Sequence, residues 1–169
     1  NELAARSLIP PMTALQRSFD SVSSEFPVYK SENCVACMEC VISCPDAAIA
    51  ARVTPEADFN NALVQAKPKD DLTQHIKSRF VKTTKFWNTY EKRGQVPALF
   101  SIWIDPDKCK GCGECVTVCS NGNHNALAIN QKPDLEMGLY RDSIKFLNAH
   151  LPHTSEKYID PRLLTDLFL

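Results

Sequence analysis

The eight cysteines of this 169-residue chain fall into two tight groups, Cys34/Cys37/Cys40/Cys44 and Cys109/Cys112/Cys115/Cys119. Both groups read C-x2-C-x2-C-x3-C. Whatever those sulfurs bind has to sit where two such loops are brought together, and the fold must be built around that meeting. A disulfide framework would spread its cysteines to close many loops, and no secretory leader is visible at Asn1-Glu2-Leu3-Ala4. Zinc needs two C-x2-C pairs separated by a loop to complete one tetrahedron, whereas here three cysteines follow in strict succession with a fourth beyond.

That spacing, ending in Cys44-Pro45 in the first run, resembles the run of bacterial two-cluster ferredoxins. Three thiolates on a tight wrap of backbone reach three irons of one cube. The fourth cysteine starts a helix leading away and faces the neighbouring cube. The expected ligand sets are therefore crossed: Cys34, Cys37, Cys40 and Cys119 for one 4Fe–4S cluster, and Cys109, Cys112, Cys115 and Cys44 for the other. Small residues (Ala36, Ala47, Ala48, Gly111, Gly113) let backbone approach closely. Gly111-Cys112-Gly113 is not a nucleotide fingerprint, since no third glycine or framing strand and helix accompanies it. The second run departs from the pattern in having Ser120 where the first has Pro45, so Asn121-Gly122-Asn123-His124-Asn125 is expected to take a wider turn. His124 in that loop reads as solvated, although a ligand or proton-transfer role is the sharper alternative.

The flanks repeat with the runs. Tyr29-Lys30-Ser31 and Ile104-Asp105-Pro106 read as a strand and turn before each run, and Ala47-Ala48-Ile49 and Ala126-Leu127-Ala128 as returning strands that pair with them. The expected fold class is α+β: a bacterial two-4Fe–4S ferredoxin-like core, duplicated as strand, cluster loop, helix and strand. The expected organisation is an N-terminal arm at 1–27, the two-cluster domain at 28–132 with an insertion at about 51–100, and a helical C-terminal arm at 133–169. The N-terminal arm, with Pro10-Pro11 and serines from Ser18 to Ser24, reads as extended.

The insertion carries a predicted helix from about Asp71, on the spacing of Leu72, Ile76 and Phe80, with Phe86, Trp87 and Tyr90 extending the apolar face beyond an interruption at Thr83-Thr84. Residues 60–95 hold eight basic against three acidic side chains, a local net of +5 in a chain whose net charge is −1. A solvated helix face is the plain reading, and a surface steering an acidic electron acceptor the sharper one. In the C-terminal arm, Met137, Tyr140, Ile144, Leu147 and Leu151 form one helical stripe ended by Pro152, with Leu135, Leu139 and Phe146 off the line. Asp160-Pro161 reads as the cap and first position of a second helix carrying Leu163, Leu164, Leu167 and Phe168. These apolar faces pack either on the chain's own core or on another domain or subunit.

No window approaches eighteen uninterrupted apolar residues, so no transmembrane helix is expected, and a pI near 6.5 suggests neither a nucleic-acid nor a membrane-surface partner. The stretch from Phe26 to Ile49 around the first run, and Ile104 to Ile129 around the second, resemble the cluster domain of pyruvate:ferredoxin oxidoreductase and its 2-oxoacid relatives. The resemblance covers about residues 26–132, including the long insertion. It implies a cytoplasmic, oxygen-sensitive oxidoreductase that decarboxylates a 2-oxoacid on thiamine diphosphate and makes acyl-coenzyme A. Electrons would leave for a soluble ferredoxin or flavodoxin. No motif for thiamine diphosphate or coenzyme A is present, so no residue here is expected to be catalytic and that chemistry is expected in other domains or subunits. An iron–sulfur subunit of a hydrogenase, formate dehydrogenase or respiratory complex, or a self-contained extended ferredoxin, are the other readings.

Overall fold

The first run's flanking strand, β1 (Glu25–Tyr29), does not pair with the strand that returns from the same run. In this computed structural model, which describes residues 18–169, β1 lies antiparallel to β5 (Leu127–Gln131), with Tyr29 opposite Leu127. The strand returning from the first run, β2 (Ile49–Pro55), lies antiparallel to β4 (Ala98–Ile104), with Ile49 opposite Ile104. Each sheet thus takes one strand from each half, which corrects the expectation of pairing within a half. Residues 30–48 are a loop and helix rather than a tight hairpin, so the chain is carried across the molecule before it returns. The short strand β3 (Phe80–Val81) adds to the other edge of β4. The result is a mixed helix and strand domain.

β4 reads Ala-Leu-Phe-Ser-Ile-Trp-Ile and is buried at every position, as a strand covered on both faces must be. Ala98, Phe100, Ile102 and Ile104 point to the side that holds the cysteines. Leu99 and Trp103 point to a second core formed with helices. Ser101, at the centre, is satisfied: its hydroxyl accepts from Trp103 Nε1 at 2.8 Å.

The helical layer comes from the insertion and the C-terminal arm. In chain order the helices are α1 (Glu39–Ile42), α2 (Glu56–Ala66), α3 (Asp70–Lys77), α4 (Thr89–Lys92), α5 (Glu114–Asn121) and α6 (Met137–His150). Phe59 and Ala62 of α2, Ile76 of α3, and Phe146 and Leu147 of α6 meet Leu99 and Trp103. Sequence reading missed α2. Its signal was there: Phe59, Ala62, Leu63 and Ala66 recur at helical spacing behind Pro55 and the acids Glu56 and Asp58. The predicted helix at Asp71 is α3, opened by Asp70 and Asp71 in its first turn. It stops at Lys77, so Phe80 belongs to β3 although it packs in the same core as Leu72 and Ile76. Thr83 does not interrupt a helix but begins one, its hydroxyl accepting from Phe86 N–H at 3.3 Å ahead of a π-helical turn at Thr84–Asn88.

The stripe on α6 packs on the chain's own core, with Phe146 inside it. The second C-terminal helix is corrected: Asp160-Pro161 forms a turn in which the Asp160 carboxylate accepts from Arg162, and only a 3-10 segment follows at Leu164–Phe168. Its Leu163, Leu164, Leu167 and Phe168 are exposed. Asp166 anchors this tail, being 1% exposed and ion-paired with Lys85. Of the N-terminal arm, Pro10-Pro11 lies outside the described residues. From Ser18 onward the arm is tied down: Phe19 N–H donates to Asp107 C=O at 2.7 Å, and Asp20 receives Arg141 and Lys132.

Candidate iron–sulfur centres

The two cysteine loops share one backbone plan. Two and four residues after the first cysteine of each run the chain turns left-handed, at Ala36 and Met38 (φ 61° and 69°) and at Gly111 and Gly113 (φ 72° and 77°). The second loop uses glycine, for which this conformation costs little, whereas the first holds an alanine and a methionine there against their preference. Both are 1% exposed, so packing over-determines the geometry. These turns aim amides inward: Ala36 N–H at the Cys34 sulfur and Gly111 N–H at the Cys109 sulfur. Met38 and Gly113 then cap α1 and α5, which carry Cys40 and Cys115.

After each fourth cysteine an alanine amide turns back onto it. Ala48 N–H donates to Cys44 Sγ at 3.2 Å across four residues, and Ala126 N–H donates to Cys119 Sγ at 3.2 Å across seven. The loop without proline is thus wider and ends in the same bond. Ala47 and Asn125, the residues just before these alanines, are both left-handed (φ 48° and 50°).

The structure brings all eight sulfurs to two small cavities. Cys34, Cys37, Cys40 and Cys119 line the first, with Tyr29, Met38, Phe100, Ile102 and Leu127 among its walls. Cys44, Cys109, Cys112 and Cys115 line the second, beside Asp46, Ala48 and Lys110. The electrostatics of Cys34 and Cys115 group the sulfurs in the same way, whereas Cys40 also feels Cys115 of the other set. Burial pushes the Cys115 thiol up to about 12, and its next causes are the charges of Cys109, Cys44 and Cys112. Burial likewise raises Cys40, followed by Cys34 and Cys37. Crowded buried thiolates repel one another unless a cationic core lies between them.

All eight cysteines are free thiols, so the disulfide alternative has no pair. Among the described residues no three His, Cys, Asp or Glu side chains are gathered as a single metal ion would require. Four sulfurs ringing a cavity with amides aimed at them suit a multi-iron cluster, for which four cysteine thiolates are the usual ligand set.

Other residues singled out in the sequence fall differently. His124 is half-buried and lines the first cavity, rather than standing free in its loop. Two of the eight basic side chains in the stretch at 60–95 are engaged within the fold. Arg79 is 4% exposed, hydrogen-bonded to His75 Nε2 at 2.9 Å and stacked 4.8 Å over the Tyr140 ring. Lys85 is taken by Asp166. Lys67, Lys69, Lys77, Lys82, Lys92 and Arg93 remain exposed. Tyr29 was not read from the sequence as a site residue. Its position at the end of the strand leading into the first run was the available signal.

Residues 33–123 match the 4Fe-4S dicluster domain family, and the chain belongs to that family. It is an iron–sulfur domain of the electron-transfer kind, carrying two 4Fe–4S clusters. It is 33% identical over 130 residues to a putative pyruvate-flavodoxin oxidoreductase of Synechocystis sp. and 31% identical over 129 residues to a probable pyruvate-flavodoxin oxidoreductase of Escherichia coli. Each match covers 75% of this chain and 9% of the relative, so the chain spans about a tenth of the proteins it resembles. A polyferredoxin of Methanothermobacter marburgensis is 34% identical over 95 residues, 54% of this chain and 20% of that one. Among the described residues no helix is long and apolar enough to cross a membrane.

Proposed function

We propose that this chain is the electron-transfer part of a 2-oxoacid:ferredoxin oxidoreductase, built on a bacterial ferredoxin-like core at 28–132 with arms on either side. Cys34, Cys37, Cys40 and Cys119 would hold one cluster, and Cys109, Cys112, Cys115 and Cys44 the other. The observation that carries this reading is that the fourth cysteine of each run lines the cavity of the other run. When bound, each cluster supplies one-electron redox chemistry at a potential set by its surroundings. The chain's own residues do the rest. The thiolates hold the clusters, the amides of Ala36, Gly111, Ala48 and Ala126 offset negative charge on sulfur, and Phe100, Ile102 and Leu127 keep water from the first cavity.

The similarity to pyruvate-flavodoxin oxidoreductases supports placing the donor at a thiamine diphosphate site in other domains or subunits, and the acceptor as a soluble ferredoxin or flavodoxin. The compartment would be the cytoplasm. The similarity to a polyferredoxin supports a second reading, a module of another redox assembly. The test is to isolate the native polypeptide anaerobically, measure its intact mass, and assay 2-oxoacid- and coenzyme A-dependent reduction of ferredoxin and flavodoxin. Activity with a thiamine-binding domain in the same polypeptide or complex is expected. A native assembly that reduces these acceptors from hydrogen or formate, and from no 2-oxoacid, would overturn the first reading for the second.

A further inference from the structure

The last residue of β1 is a tyrosine whose buried hydroxyl lies against the Cys34 sulfur and, among the described residues, has no nitrogen or oxygen partner. Tyr29 is 7% exposed and its Oη is fully buried, facing the Cys34 sulfur. A buried phenol usually finds a partner, because an unpaired hydroxyl loses its water and gains nothing. Tyr29 lines the first cavity together with Cys34, Cys37 and Cys40. Its phenolic O–H is a donor placed at the wall those sulfurs form.

The second half has no counterpart. Tyr29 ends β1 five residues before Cys34, and Ile104 ends β4 five residues before Cys109. Ile104 is buried and has nothing to donate. The cation beside the second cavity, Lys110, is tied to Asp46 at 2.9 Å. Two loops that otherwise repeat one another in backbone turns and amide donors therefore differ in side-chain donors, the first cavity having the Tyr29 hydroxyl on its β1 wall and His124 from the loop after Cys119.

We propose that the Tyr29 hydroxyl donates a hydrogen bond to the sulfur shell of the cluster held in the first cavity and sets the two clusters apart in reduction potential. This rests on the reading that both cavities hold 4Fe–4S clusters. A donor aimed at sulfur stabilises the reduced, more negative form over the oxidised form, and does so strongly where water is excluded. Tyr29 is in this sense a positioning and tuning residue, since it transfers no electron or proton itself.

The test is a potentiometric titration of the full chain with both clusters, followed by electron paramagnetic resonance, for wild type and Tyr29→Phe. Signals are assigned to cavities with Cys44→Ser. Tyr29→Phe is expected to lower the potential of the first cluster alone, by a roughly tenfold change in its one-electron equilibrium, about 59 mV. It is also expected to remove an exchangeable proton coupled to that cluster in electron–nuclear double resonance. Incorporating 3-fluorotyrosine at position 29, which keeps the shape and strengthens the donor, is expected to raise the same potential. That variant decides the matter if the phenylalanine variant assembles poorly. Unchanged potentials, or equal shifts of both clusters, would overturn the proposal and leave the two-cluster reading standing. A wild-type chain without inorganic sulfide would overturn both.

Discussion

The backbone N–H of Ala126 reaches back seven residues to the Cys119 sulfur, 3.2 Å away. This places a sulfur from the second run, with its own amide donor, in the wall of the cavity framed by Cys34, Cys37 and Cys40. Ala48 does the same for Cys44 on the opposite side. The exchange ties the halves together, because neither cavity has four sulfurs without the other run.

Substituting either exchanged cysteine should therefore damage the cluster of the opposite run. Cys44→Ser is expected to perturb the magnetic signature of the cluster on Cys109, Cys112 and Cys115 and leave the other unaltered. Cys119→Ser is expected to do the reverse. Damage confined to the cluster of the substituted run would show that the ligation is not crossed.

The two glycines of the second loop should respond unequally to alanine. Both sit at positive φ, so each substitution carries the strain of a side chain there, about 1 kcal/mol. A methyl at Gly113 would meet nothing within 4 Å, whereas one at Gly111 would come within 2.6 Å of Ser23 Cβ and 2.9 Å of the Glu25 carbonyl oxygen. Overpacking adds roughly 1–3 kcal/mol, so Gly111→Ala should destabilise the holo chain clearly more than Gly113→Ala in anaerobic denaturant titrations. Equal effects would mean that Ser23 and the start of β1 yield freely.

The loops were legible from the sequence because iron–sulfur ligation fixes both residue type and spacing, and Ala36, Gly111 and Gly113 stand at left-handed turns, whereas nothing in the sequence marked the turn at Met38. Strand pairing was not legible. Tyr29 and Ile49 look like partners along the chain, but antiparallel pairing depends on where residues 30–48 carry it, and that is set by α1 and the cavity. Phe80 satisfied a four-residue spacing from Ile76 yet ended in a strand, because burial in one core can be reached by either geometry. The +5 count says less than the structure for a similar reason: sequence counts charges, while Arg79 and Lys85 face Tyr140 and Asp166 and six other basic side chains stay exposed.

His75 makes stability depend on acid. Burial, and then the neighbouring Arg79, hold its pKa down to about 4 from 6.5, so at neutral pH the ring is uncharged and accepts from Arg79. The unfolded chain binds a proton near pH 6.5 that the folded chain refuses until about pH 4, so stability should fall as pH drops through that window. The full shift is discounted because the ring is only partly buried, leaving an expected loss of roughly 1–2 kcal/mol. His75→Gln should flatten the slope between pH 6.5 and 5, where wild type and variant are compared under identical anaerobic conditions. An unchanged slope would show that the ring is protonated in the folded chain.

The central claim is that the eight cysteines hold two 4Fe–4S clusters, and metal and sulfide analysis of the anaerobically purified chain tests it most directly. About eight irons and eight acid-labile sulfides per chain are predicted, with a brown chromophore that bleaches on dithionite. Stoichiometric zinc without inorganic sulfide would contradict the account.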